Sequence, residues 1–248
     1  MLSGICMDIG GTRARIYEFE GGLKREQLEI ELPLVDEALT ESENSERRVK
    51  AISRLVSYFS SERQLSKVAT ACAGLKNESK TGVTLLHFGV PLPNLASEVK
   101  VQTGADIGPL YDDDIAAAWG HLASSVSPLG NDGFNTILLT AGTGLAEAHW
   151  VNGGFVDKAS YPRASTYGLE TKLRGEGWRT TGDPSEALCE LVEKRRELYK
   201  LDSLILSGRF VHMNRDCIGK LKDILKIEVH LVDLPEAPAI GALKLSAL

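Results

Sequence analysis

Apolar and polar residues alternate over the first thirty positions, and then the period changes. Ile5 and Met7 lead into Asp8-Ile9-Gly10-Gly11-Thr12, and Ala14, Ile16, Tyr17 and Phe19 follow at once. The pattern predicts strands over 4–9, 13–20 and 25–32, with a tight glycine turn after the first and Gly21-Gly22 after the second, as in an antiparallel meander. Residues 36–46 are acidic and read as a loop. From 45 to 61 the spacing is helical, with Val49, Ile52, Leu55, Val56 and Phe59 on one face. Leu65–Ala71 reads as a buried strand, Val83–Phe88 as another, Pro91 to Pro93 as a rigid connection and 94–103 as a helix. Ile107–Tyr111 is a short strand ending in Asp112-Asp113-Asp114, and the helix after it carries Ala116, Ala117, Ala118, Trp119 and Leu122.

Ser127 to Gly133 reads as a linker, and beyond it the pattern restarts. Residues 136–140 form a strand, Gly142-Thr143-Gly144 a turn, 145–151 a strand, and Asn152-Gly153-Gly154 a hairpin turn. Residues 157–182 are irregular and include Lys158, Arg163, Lys172, Arg174 and Arg179. Asp183-Pro184 opens a helix that reaches about 199, with the aspartate as N-cap and the proline in the first turn. A strand over 201–207 ends at Gly208, a helix spans 210–225, a strand 227–232, and a last helix begins at Pro238. Both halves therefore open with strand, glycine–threonine turn, strand, which points to a duplicated α/β fold.

Composition narrows the function classes. The chain has 248 residues, 43% apolar and 25% charged, with a net charge of −6, as in an ordinary soluble globule. No basic run is interleaved with aromatics, so nucleic acid is not an expected partner. No apolar stretch approaches membrane-spanning length, and the first residues lack the plan of a signal peptide. Cys6, Cys72, Cys189 and Cys217 are scattered without metal or redox spacing. Reduced thiols in a cytoplasmic protein are the expectation.

The chemistry concentrates at glycine turns. A carboxylate entering such a turn, Asp8, can hold a magnesium ion through water. Gly10 and Gly11 let backbone N–H groups approach a phosphate, and Thr12 adds a hydroxyl. Arg13 could neutralise phosphate charge or lie on a strand surface. The amides of Thr140-Ala141-Gly142-Thr143-Gly144 offer a second phosphate site, and Ser207-Gly208-Arg209 a strand end where adenine could rest on backbone. The spacing Gly142-x-Gly144-x-x-Glu147 breaks the dinucleotide fingerprint and leads into a strand, and no Gly-Lys-Ser/Thr sequence exists, which excludes a P-loop. One carboxylate of Asp112-Asp113-Asp114 could take a proton from an attacking hydroxyl, and one could cap the helix that follows.

These motifs, in this order, resemble those of sugar kinases of the ROK family (repressors, open reading frames, kinases), relatives of actin, hexokinase and the Hsp70 ATPase domain. Asp8–Thr12 resembles the family's first phosphate motif, Ala71–Gly74 its Pro-Gly loop, and Leu92-Pro93-Asn94 the segment with a sugar-binding asparagine. Asp112–His121 resembles its Asn-Asp-Ala-Asn-Ala-Ala-Ala-Leu-Gly-Glu stretch. Gly142-Thr143-Gly144 resembles the second phosphate motif, Gly182-Asp183-Pro184 its Gly-Asp-Pro segment, Leu204–Gly208 the adenosine strand, and Ala239–Ala242 the closing helix. The resemblance implies an actin-like ATPase (ribonuclease H-like) fold with duplicated mixed sheets and a nucleotide cleft between two domains. Those domains would be about 1–127 and 128–248, with the last helix crossing back to the first. It implies an ATP- and Mg2+-dependent phosphotransferase acting on a sugar or small polyol, with Asp113 as catalytic base and Asn94 and Asp112 as sugar contacts. A homodimer is usual for the family. Residues 157–170 lack the family's Glu-x-Gly-His, for which Glu170 or His149 is the candidate substitute. The zinc motif of many members is absent, so no zinc is expected. The DNA-binding role of the family's repressors is not expected either. Two alternatives stand beside the sugar kinase. One is a nucleotide-dependent ATPase switch that binds a protein partner, and the other a kinase with a carboxylate acceptor.

Overall fold

The computed structural model describes residues 2–60, 65–85, 90–131, 133–141, 145–156, 185–208 and 216–248. It divides into two units, Met1–Ala123 with Glu236–Leu248, and Ser124–Pro235.

The first unit is built on a five-stranded sheet of order β3-β2-β1-β4-β8. Strands β1 (Gly4–Ile9), β2 (Arg13–Glu20) and β3 (Leu23–Glu31) form the antiparallel meander, while β4 (Ala69–Cys72) and β8 (Leu110–Asp112) continue it in parallel. One face carries α1 (Glu41–Ser60) and α2 (Leu95–Thr103). Its core joins Met7, Ile9, Ile16 and Cys72 to Val49, Ile52, Val56 and Phe59. The other face carries α3 (Asp113–Ala123) and the final helix, labelled α6 (Ala237–Leu245). There Cys6, Tyr17, Ala69 and Ala71 pack on Ala116, Ala239 and Ala242. A small three-stranded sheet, β5 (Leu75–Lys76), β6 (Val83–Leu85) and β7 (Val90–Leu92), completes the unit.

Two local readings of the sequence are corrected. The acidic segment before position 45 is helical from Glu41, because Thr40 and Glu43 form a capping box. The Thr40 N–H donates to Glu43 Oε2 at 2.7 Å and the Glu43 N–H to Thr40 Oγ1 at 3.3 Å, which satisfies two donors at the helix start. Pro91 lies within β7 rather than in a connection. A proline is tolerated there because β7 is the edge of its sheet, paired among the described residues with β6 alone.

The second unit repeats the plan with order β11-β10-β9-β12-β13. Strands β9 (Thr136–Ala141), β10 (Leu145–Val151) and β11 (Gly154–Phe155) are antiparallel, and β12 (Ser203–Ser207) and β13 (Glu228–Val232) run parallel to β9. Asn152 (φ 52°) and Gly153 (φ 81°) make the two-residue turn between β10 and β11. Helices α4 (Ser185–Tyr199) and α5 (Cys217–Leu225) cover one face through Leu188, Val192, Leu221 and Leu225. All four cysteines are buried, and none is in a disulfide. Among the described residues no helix is long and apolar enough to cross a membrane.

Candidate active site

Three parallel strands of the first unit end at one level, since Ile9 is opposite Cys72 and Cys72 opposite Asp112. The turns that follow them therefore share the carboxyl edge of the sheet, where open α/β sheets bind ligands.

The first turn is short and stiff. The Gly10 N–H donates to Arg13 O at 2.8 Å, and the Leu32 N–H to Thr12 O at 2.8 Å. The Gly10 N–H is thus taken up inside the turn, which corrects the expected role of that N–H. The amides of Gly11 and Thr12 enter no turn or loop hydrogen bond among the described residues. A Cβ at Gly10 would come no closer than 3.4 Å to any neighbour, so crowding within the fold is not what excludes a side chain there. Behind the turn, buried Arg48 of α1 donates from Nη1 and Nη2 to Gly11 O, both at 3.3 Å.

Asp8, Arg15 and Glu29 form one cross-strand row over β1, β2 and β3. Arg15 lies 3.9 Å from Asp8 and its Nε donates to Glu29. Arg13 instead pairs with Glu29 at 2.9 Å and Glu31 at 3.8 Å, so its guanidinium is engaged on β3. Arg15 escaped the sequence reading. Counting outward from the Gly10–Thr12 turn, Ile9 against Ala14 and Asp8 against Arg15, would have found it. The Asp8 carboxyl is pushed up to about 7, by burial first and then by the charge of Asp113, with Arg15 pulling the other way.

The three aspartates where β8 passes into α3 have separate environments. Asp114 Oδ1 accepts from the Ile115 N–H at 2.7 Å within the first turn of α3. Asp113, the first residue of α3, is half-buried and lies within electrostatic reach of Asp8. Asp112 accepts from Lys76 Nζ at 3.1 Å. Lys76 also escaped the sequence reading, and a single lysine in a polar loop gives no signal. Asn94 is exposed at the N-cap of α2, and its side chain makes no cap hydrogen bond. Its position is set by Asn77, which donates from Nδ2 to Pro93 O at 3.0 Å. Cys72 sits among these charges, but burial pushes its thiol up to about 12, so it stays protonated and inert.

In the second unit, Thr140 and Ala141 end β9, and Ser207 is opposite Thr140. Gly142, Thr143, Gly144, Glu170 and Arg209 lie outside the described residues. Gly208 has φ +97°, and a Cβ on it would lie 2.3 Å from Ala141 O. The missing side chain at Gly208 is thus required by the close backbone of Ala141. Gly208→Ala is expected to destabilise the protein by about 2 kcal/mol or more, from a left-handed conformation plus backbone overlap. A fall in the urea midpoint measures it, and an unchanged midpoint would show that the two strand ends separate freely.

His149 does not substitute for the missing sugar motif. It is fully buried in the second unit, with Nε2 3.1 Å from Glu147 Oε2 and its ring 4.7 Å from that of Tyr199. Glu147 in turn takes two hydrogen bonds from buried Arg195, at 2.9 and 2.7 Å. This network stands between β10 and α4 and belongs to the core.

No protein-family model and no curated protein matches the chain. Solved structures do. The chain is similar to the inorganic polyphosphate/ATP-glucomannokinase from Arthrobacter sp. strain KM, with 18% identity, 100% of this chain and 99% of that one covered, and a TM-score of 0.69. A ROK family glucokinase from Streptomyces griseus, solved with glucose and AMPPNP, gives 15% identity, 99% coverage of both chains and a TM-score of 0.61. A ROK family transcriptional regulator homologous to the E. coli MLC protein gives 13% identity and a TM-score of 0.64, over 98% of this chain and 78% of that one. At such identities the likeness shows the fold, which is the α/β fold of actin-like ATPase sugar kinases with its two mixed five-stranded sheets.

Proposed function

We propose that the chain is an ATP-dependent phosphotransferase of the ROK type, which phosphorylates a hydroxyl of a sugar or small polyol. The observation that carries the proposal is the placement of Asp113 beside Asp8 and the Gly10–Thr12 turn, at the carboxyl edge of one sheet. In this reading the acceptor hydroxyl gives its proton to the Asp113 carboxylate as its oxygen bonds to the γ-phosphorus of ATP. The bond from that phosphorus to the β,γ-bridging oxygen breaks, and ADP leaves. In this reading the Gly11 and Thr12 amides, which enter no turn or loop hydrogen bond among the described residues, hold phosphate oxygens.

The donor set also fits a magnesium ion. Asp8 and Asp113 are two carboxylates close enough for the charge of one to raise the proton affinity of the other, a conflict that a cation relieves. Among the described residues no three His, Cys, Asp or Glu side chains are grouped as a metal-ligand set. Bound there, magnesium neutralises phosphate charge; Asp8 would hold it through water.

The test is coupled ADP release from Mg-ATP over hexoses, amino sugars, polyols and short carboxylates. Strong stimulation by one sugar or polyol is the expected result. Stimulation by a carboxylate alone would move the chain to acyl-phosphate chemistry. Slow release indifferent to every acceptor would replace the proposal with a nucleotide switch that binds a protein partner.

A further inference from the structure

Lys76 is confined beside the proposed acceptor site, with only 7% of its side chain exposed. Its ammonium donates to Cys72 O, to Gly74 O at 2.7 Å and to Asp112 Oδ1 at 3.1 Å. An ammonium has three protons, and three acceptors take them. Lys76 therefore has no proton left for a substrate. A buried cation also needs a counter-charge, and the carboxylate bonded to it is Asp112. The Asp112 side chain is itself 42% exposed, with one oxygen on Lys76 and the other free to meet solvent or a ligand.

The neighbouring residue works on the other side of the site. Asn77 Oδ1 accepts from the N–H groups of Thr81 at 2.9 Å and Gly82 at 3.0 Å, while Nδ2 holds Pro93 O, one residue before Asn94. The successive residues Lys76 and Asn77 thus fix Asp112 and Asn94, the two described candidates for acceptor contact. Gly82 accepts this closeness because a Cβ there would fall 1.9 Å from Pro93 O.

We infer that Lys76 is a positioning residue that holds Asp112 as an anionic hydrogen-bond acceptor, so that the site selects neutral or amino-substituted polyols and rejects acceptors bearing a carboxylate. This rests on the proposed phosphotransferase reading and names its substrate class. An asparagine at position 112 would both donate and accept. A carboxylate only accepts, so the acceptor must present an O–H or an ammonium N–H at that point. A uronic or aldonic acid would bring a second anion against Asp112, with Asp113 and Asp8 nearby and the Lys76 protons already used.

The experiment measures acceptor binding by calorimetry without nucleotide, in parallel with ADP release, for wild type, Lys76→Met, Lys76→Arg and Asp112→Asn. Glucose, glucosamine, sorbitol and glucuronate are the probes. Asp112→Asn keeps the clamp on Cys72 and Gly74, so it tests the inference even if Lys76→Met fails to fold. Wild type is expected to bind at least one neutral or amino probe and not glucuronate. Asp112→Asn should weaken the preferred probe by about tenfold or more, the loss expected for one hydrogen bond to a charged group. It should also narrow the gap to glucuronate. Lys76→Met should raise KM more than it lowers kcat, with Lys76→Arg restoring part of the loss. Glucuronate bound as tightly as the neutral probes, no probe bound at all, or Asp112→Asn and a folded Lys76→Met both matching wild type would each overturn the inference. Selective binding without ADP release would leave the subsite standing and remove the phosphotransferase.

Discussion

Asp113→Asn is expected to reduce acceptor-stimulated ADP release by about 10²–10⁴-fold, the usual contribution of a positioned general base. Asparagine keeps the size of the side chain and cannot take the acceptor proton. Nucleotide binding should persist, because the phosphate turns are untouched. The fold should persist too, for an electrostatic reason. The Asp8 carboxyl is pushed up to about 7, by burial first and by the Asp113 charge second. A carboxyl whose folded pKa lies above its unfolded value binds its proton more tightly in the native state, so it costs stability as pH rises through that range. Removing the Asp113 charge lowers the Asp8 pKa and lessens the cost. The thermal midpoint of the metal-free variant, relative to wild type, should therefore move in the variant's favour as pH rises through 7. Full turnover in a well-folded Asp113→Asn protein would show that another group takes the proton.

Much of this arrangement is legible in the sequence where a local rule governs. Period-2 alternation and paired glycines give the meander, and helical spacing gives the buried face of α1 at Val49, Ile52, Leu55, Val56 and Phe59. The aspartates where β8 passes into α3 can be read as a site because three exceed what one helix start needs. Long-range contacts are not legible. Arg48 meets Gly11 across 37 residues of sequence, and Lys76 meets Asp112 across 36. Neither stands out in its own segment, where Arg47 adjoins Arg48 and Lys80 follows Lys76, and only the folded chain gives it its partner. The reason for Gly208 is hidden in the same way, because the atom that excludes a side chain belongs to Ala141, on another strand.

The small residues of α3 have such a hidden partner, and they lead to the largest expected effect on stability. The run Ala116–Ala118 with Gly120 gives little apolar surface, yet Ala116, Ala117 and Ala118 are all buried. The explanation is α6. A Cβ at Gly241 would lie 1.6 Å from Ala116 O, and one at Gly120 would lie 2.0 Å from Ala237 O. Both obstacles are backbone atoms, which no rotamer change can move aside. A single methyl group must drive the helices apart or shift both against the sheet, where Ala239 and Ala242 pack on Cys6 and Ala71. Alanine is a better helix former than glycine by about 1 kcal/mol, and that gain opposes the clash. Overpacking that side chains can absorb costs about 1–3 kcal/mol, and here they cannot absorb it. Gly241→Ala is therefore expected to destabilise by about 3 kcal/mol or more, a large share of a typical domain's 5–15 kcal/mol. Asp113 begins the displaced helix, so turnover should fall with stability, since a misplacement of about 1 Å can cost 10²-fold. Gly219, in α5 of the second unit, provides the control. It has nothing within 4 Å of its would-be Cβ, so Gly219→Ala should leave stability unchanged or raise it by up to about 1 kcal/mol. Equal urea midpoints for Gly241→Ala and Gly219→Ala would mean that α3 and α6 slide past each other without cost. In that case the final helix would not set the position of Asp113.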